Sequence, residues 1–171
     1  MLAVAALSAV GFFADRLQSS LARDARQLLG GDAIVASDKP PPKAVVDKAR
    51  SLGLQVATST AFPSMGRAPE EKGGAARLVS VKAVSDGYPL RGQLQLKRQS
   101  DGEIELRKSG PSRGTVWVDQ PVLDSLNLAI GDRLLLGDAA LTIDRISVIE
   151  RDRGGGFLGF APRVMLHADD L

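Results

Sequence analysis

Met1-Leu-Ala-Val-Ala-Ala-Leu-Ser-Ala-Val-Gly-Phe-Phe-Ala14 is an uncharged apolar run that passes without a break into the charged, helix-patterned residues 15–31. A bilayer core asks for roughly 20 apolar residues at helical rise, so a run of this length is a partial span or the apolar core of a signal peptide. A signal peptide carries Lys or Arg ahead of its apolar core, whereas Met1 is followed directly by Leu2. The run is read as the outer part of a transmembrane helix, over residues 1–14, that emerges into water. A signal peptide without its front and an ordinary buried helix are the competing readings.

Beyond this run, Leu17, Leu21, Ala25, Leu28 and Leu29 recur at three- and four-residue steps, while Arg16, Arg23, Asp24 and Arg26 fall mostly on other faces. This spacing predicts an amphipathic helix continuous with the apolar one. It forms a stalk in which Leu17, Ser20, Leu21, Ala25 and Leu28 are the candidate mechanical positions. Gly30-Gly31 supplies the permissive backbone that ends helices, and Asp32-Ala-Ile-Val-Ala-Ser37 reads as a short strand. Three prolines, 40 to 42, suit a helix entrance. Ala44, Val45, Val46, Ala49 and Leu52 then share one helical face before Gly53.

Further on, β-branched and alternating residues dominate. Leu54-Gln-Val-Ala-Thr-Ser-Thr-Ala-Phe62 and Arg77-Leu-Val-Ser-Val-Lys-Ala-Val84 are read as a hairpin around the turn chemistry of Pro69-Glu-Glu-Lys-Gly-Gly74. A second lobe is expected after Tyr88-Pro-Leu-Arg-Gly92, entered through Gln93-Leu-Gln-Leu-Lys97, with residues 99–114 as a polar surface loop. Thr115-Val-Trp-Val118 reads as a strand and residues 121–128 as a short helix. A second hairpin is expected to turn near Gly137-Asp138 and to continue to Ile149.

Composition narrows the function. The 171 residues are 44% hydrophobic and 25% charged, an ordinary globular balance. The net charge of +2 is spread through the chain rather than gathered in a stripe, which argues against a nucleic-acid partner. No cysteine is present, which excludes a disulfide framework, a thiol nucleophile and a Cys-ligated zinc site.

Chemical motifs are sparse, and no catalytic, cofactor or metal residues are assigned. Gly154-Gly-Gly-Phe-Leu-Gly159 satisfies the spacing of a dinucleotide fingerprint, but Pro162 interrupts the helix that would have to follow and hold the pyrophosphate. It is read as a glycine loop flanked by Phe157 and Phe160. His167 is the single histidine and has no G-x-S-x-G partner, since Phe62 stands where the first glycine before Ser64 would belong. It is expected to be an ordinary strand-end residue. The adjacent Asp169 and Asp170 lack calcium-loop spacing and suit solvation or capping. A phosphate-binding loop is absent, so the chain does not itself bind ATP in that way.

Several short motifs then carry a resemblance by their order: Gly11-Phe-Phe-Ala-Asp-Arg16, Leu28-Leu-Gly-Gly-Asp32, Val81-Lys-Ala-Val84, Tyr88-Pro-Leu-Arg-Gly92, Val116-Trp-Val-Asp119, Gly131-Asp132, Asp152-Arg-Gly154 and Pro162-Arg163. Across nearly its whole length the chain resembles the first periplasmic domain of YbbP-type ABC transporter permeases, members of the MacB/LolC/FtsX-like superfamily. The resemblance implies an α+β fold: a MacB-like periplasmic core with a porter-like α/β lobe and an inserted small, mainly β lobe, preceded by the end of a transmembrane helix. The implied division is residues 15–88 for the first part of the porter-like lobe, 89–150 for the inserted lobe and 151–171 for an incomplete return.

The resemblance also implies a non-catalytic subunit of the inner membrane with this domain on the periplasmic side. Its partners would be a cytoplasmic ABC ATPase, the lipid bilayer and lipid or hydrophobic cargo, to which it would transmit force. No cofactor is implied. The alternative is a free-standing periplasmic binding or adaptor protein with a signal peptide. A hydrolase built on His167 and a distant Ser has no motif behind it.

Overall fold

A computed structural model describes residues 12–13, 15–16, 30–149 and 160–171. Phe12, Phe13, Asp15 and Arg16 are helical, with the Arg16 guanidinium 5.0 Å from the centre of the Phe12 ring. The stalk positions Leu17, Ser20, Leu21, Ala25 and Leu28, the rest of the apolar run and the glycine motif 154–159 lie outside the described residues. Among the described residues, no helix is long and apolar enough to cross a membrane.

From residue 30 on, the described residues form an α+β architecture, an eight-stranded mixed sheet with two α-helices. The helices are α1 (Lys43–Ser51) and α2 (Gln120–Leu126). The strands are β1 (Ser59–Arg67), β2 (Ala76–Val84), β3 (Leu94–Lys97), β4 (Glu105–Arg107), β5 (Thr115–Asp119), β6 (Arg133–Leu136), β7 (Ala139–Ile149) and β8 (Arg163–His167). Both hairpins expected from local sequence form. The β1–β2 hairpin turns through a short 3-10 segment, Glu70–Lys72, whose end at Gly73 is left-handed, and Gly137 supplies a positive φ between β6 and β7. The first strand begins later than its β-branched run suggests and continues through Pro63. Proline is tolerated there because the far edge of β1 is paired only at Gly66 and Arg67.

The sheet closes on itself. Its long order is β4-β3-β7-β5-β8-β2-β1-β6, and β6 also pairs with β7, so β7, β5, β8, β2, β1 and β6 form a ring. Gly66 stands at the closure, where a Cβ would lie 3.4 Å from Val79 Cγ1 and 3.5 Å from Leu134 Cδ1. Ring closure removes the edges that an open sheet would expose. The eleven residues of β7 serve the ring first and then carry β3 and β4 as an outer extension.

Alternation along the strands sorts the core into two. Val79, Val81 and Ala83 of β2, Val116 and Val118 of β5, Leu141 and Ile143 of β7, and Val164 and Leu166 of β8 fill the inside of the ring. Val122, Leu123 and Leu126 of α2 insert into the same core at the end where β5 finishes. Their intervening neighbours Val84, Trp117 and Met165 face outward and meet Tyr88, Leu94 and Leu96 in a second cluster. β8 is buried at all five positions because both of its faces are covered, which is why it reads as a continuous rather than an alternating run.

Two expectations are corrected. The stretch 33–37 is not a strand: it is exposed coil with no pairing partner, and extended sequence without a neighbour cannot form a ladder. The stretch 99–114 is more than a surface loop. It contains β4, paired to β3, and Gly110 approaches the ring wall so closely that a Cβ would lie 2.7 Å from Val84 Cγ2. The helix after the prolines forms as expected, with Pro42 at its start and Gly53 (φ +78°) just past its end, yet it buries none of its residues.

Candidate functional site

Several short motifs that lie far apart in the chain meet at one end of the ring, opposite α2. Leu28-Leu-Gly-Gly-Asp32 ends against Tyr88-Pro-Leu-Arg-Gly92. The carbonyl of Gly30 accepts from Arg91 N at 2.9 Å, and the Asp32 carboxylate accepts from Arg91 Nη2 at 2.8 Å and Nε at 3.1 Å. This paired geometry of guanidinium and carboxylate fixes orientation as well as distance. Gly30 adopts φ +66°, and a Cβ there would contact Pro89 and the Tyr88 ring, so glycine lets the chain turn flat against the connector. Hydrogen bonding and then charge from Asp32 raise the pKa of Arg91, which keeps its charge throughout the physiological range. The pair is exposed, so it orients the chain more than it stabilises it.

Beneath this clasp the connector 85–92 is tied to the ring. Lys82, buried in β2, donates to Tyr88 Oη at 2.8 Å and lies 4.7 Å from the ring centre. A buried ammonium needs such partners to offset its lost hydration. Ser85 N donates to Thr58 O, and Thr58 N donates to Ser85 Oγ at 2.8 Å, which ties the connector to the segment leading into β1. At the other end of the ring, where α2 begins, the last motif pair meets: Asp119 Oδ2 accepts from Arg163 N at 3.0 Å.

His167 closes the same end as the clasp. It is buried at the end of β8, as expected for a strand-end residue, and its ring bonds to Asp86 and to the backbone of Asp169. Nδ1 accepts from Asp169 N at 3.1 Å, so Nε2 carries the proton in the neutral ring and donates it to Asp86 Oδ1 at 3.2 Å. The following 3-10 turn, Ala168–Asp170, holds the connection into β5: Asp169 pairs with Arg113 and Asp170 Oδ2 accepts from Gly114 N at 2.9 Å. The two aspartates thus have capping and pairing roles. Among the described residues no cluster of His, Cys, Asp or Glu could hold a metal.

A second polar group lies on the β3–β4 extension. Glu105 receives Arg107 Nε at 2.6 Å and Arg145 Nε at 3.2 Å, and Arg145 also pairs with Asp144, to which Trp117 Nε1 donates at 3.4 Å. Partial burial works to raise the Glu105 pKa, but hydrogen bonds from Arg145 and then Arg107 outweigh it and hold it below the ordinary 4.5. A lowered carboxylate adds stability that is complete above that value and is lost as pH falls through the folded-state pKa. Fluorescence of Trp117, the single tryptophan, is expected to show an acid transition below pH 4.5 that Glu105→Gln removes. A transition identical in the variant would assign the change to other carboxylates. An open hollow of about 600 Å³ beside this group is lined by Arg98, Glu103, Ile104 and Glu105, mixed in charge and without convergent donors.

Of the sequence expectations, the mechanical positions Leu17, Ser20, Leu21, Ala25 and Leu28 fall outside the described residues. The clasp of residues 30 and 32 on Arg91 was not singled out in the sequence, although both halves of it lay within recognised motifs. Asp32 and Arg91 are 59 residues apart, and no local periodicity links them.

No protein-family model matches the chain. It is 32% identical over 170 residues to the uncharacterized ABC transporter permease YbbP of Escherichia coli K12, a match that covers 99% of the chain. The chain spans about a fifth of that permease's length. This similarity, which runs from end to end of the chain, supports an ABC transporter permease-type domain.

Proposed function

We propose that this chain is a non-catalytic, extracytoplasmic domain of an inner-membrane ABC permease subunit, with the MacB-like periplasmic core as its fold family. It couples ATP hydrolysis by a cytoplasmic partner to export or extraction of lipids or hydrophobic compounds. The observation that carries this reading is the clasp of Gly30 and Asp32 on Tyr88, Pro89 and Arg91. It holds residues 30–32, which follow the stretch expected from sequence to be a stalk, on the connector that Lys82 ties to the ring wall. A domain built to transmit movement needs its incoming element held in a defined orientation. This arrangement supplies that with one bidentate pair, one backbone bond and one close glycine contact.

The test uses the full-length permease co-expressed with its ATPase and reconstituted in lipid nanodiscs, with bound species identified by mass spectrometry. ATPase activity is expected only in the complex, with lipids or other apolar compounds co-purifying. The domain alone is expected to turn over neither ATP nor esters, because it offers no phosphate loop and no assembled nucleophile. Ester turnover by the domain, lost in His167→Ala, would overturn the reading in favour of a hydrolase.

A further inference from the structure

The connector 85–92 touches both the junction that receives the stalk and the terminal turn of the chain. We propose that it is a relay, coupling residues 30–32 to the turn Ala168–Asp170 along the outside of the ring. At one end of the connector, Arg91 holds Asp32 and Gly30. At the other, Asp86 holds His167, whose other ring nitrogen holds the backbone of Asp169. Between them, Tyr88 N donates to Ser85 O, closing a turn at Gly87 (φ +81°), and the Tyr88 hydroxyl rests on Lys82 of the wall.

The two contacts are five residues apart on a connector held at Ser85, which bonds to Thr58, and at Tyr88, which bonds to Lys82; Asp86 lies within the turn Ser85–Tyr88 and Arg91 just beyond it. Displacement of Arg91 is carried through Tyr88 to the turn and to Asp86, so the turn Ala168–Asp170 feels residues 30–32 without any rearrangement of the packed interior. A close-packed core resists small continuous shifts, whereas a connector held at Ser85 and Tyr88 accommodates them between those points. The relay extends the coupling reading but is a property of the chain by itself, and it is measured without transport.

The experiment is amide hydrogen exchange, resolved by residue, on the full chain in detergent. In Arg91→Ala, the Asp169 and Gly114 amides are expected to exchange about two- to fivefold faster, the range that an exposed ion pair can transmit. Neither amide bonds to Arg91, and ring amides such as those of Val81 and Val118 should keep their wild-type rates. Asp32→Ala should reproduce the pattern from the other side of the clasp. Because coupling is reciprocal, Asp86→Ala should in turn accelerate the Arg91 amide. Wild-type rates at Asp169 and Gly114 in both clasp variants overturn the relay, and so does acceleration spread equally over β2 and β5. Wild-type ATPase coupling in variants that show these exchange patterns would instead count against the transport reading alone.

Discussion

Leu126→Ala is expected to destabilise the domain by about 2–5 kcal/mol, enough to remove a large part of the margin of an ordinary domain. Leu126 is fully buried and lies in α2, where with Val122 and Leu123 it fills the end of the ring beside Val116, Val118 and the strands around them. Truncation removes transfer energy and leaves a cavity. A ring of strands closed by β6 on both β1 and β7 cannot collapse onto that cavity without breaking pairs. Ser125, one residue earlier, points outward and donates to the Pro121 carbonyl, so Ser125→Ala should change stability far less. Urea unfolding followed by Trp117 fluorescence measures both. Equal midpoints for Leu126→Ala and the parent would mean that α2 does not fill the ring.

Ser20→Pro is expected to cost about 3 kcal/mol or more in local helix stability and to abolish coupled transport, while Ser20→Ala stays nearly silent. The reasoning is sequence-based: Leu17, Leu21, Ala25 and Leu28 keep helical spacing without a Pro. Proline at Ser20 removes a main-chain donor and clashes with the preceding turn, which kinks the stalk between the apolar run and the clasp at Gly30 and Asp32. Gly11 is the other weak point, costing on the order of 1 kcal/mol relative to Ala. ATPase stimulation and transport-dependent growth are compared at matched expression in the full-length complex. If Ser20→Pro inserts normally and retains wild-type coupling, the stalk does not transmit, and the clasp is a passive docking point.

These two experiments separate what is local in this protein from what is not. Both hairpins were legible because their determinants are neighbours in sequence. The alternation through Val79, Val81 and Ala83 marks one face, and the turn residues after Pro69 and at Gly137 supply conformations that few other residues adopt without cost. The helix after Pro42 was legible for the same reason, as was the end-of-strand position of His167.

Ring closure was not legible. Parallel pairing of β5 with β7 and of β2 with β8 joins segments far apart, and the same period-two pattern fits an open sheet equally well. The failed strand at 33–37 and the strand found at 105–107 are two sides of this. Residues of fair β propensity remained coil without a partner, while Glu105, Leu106 and Arg107 paired because β3 lay beside them and Arg145 reached Glu105. The sequence by itself thus determined the local elements, the absence of a disulfide or thiol chemistry, and the permease family through the order of its motifs. Only the tertiary structure decided that Asp32 meets Arg91 and that Asp86 meets His167, because long-range contacts follow from which strands find one another, and side-chain period carries no record of that choice.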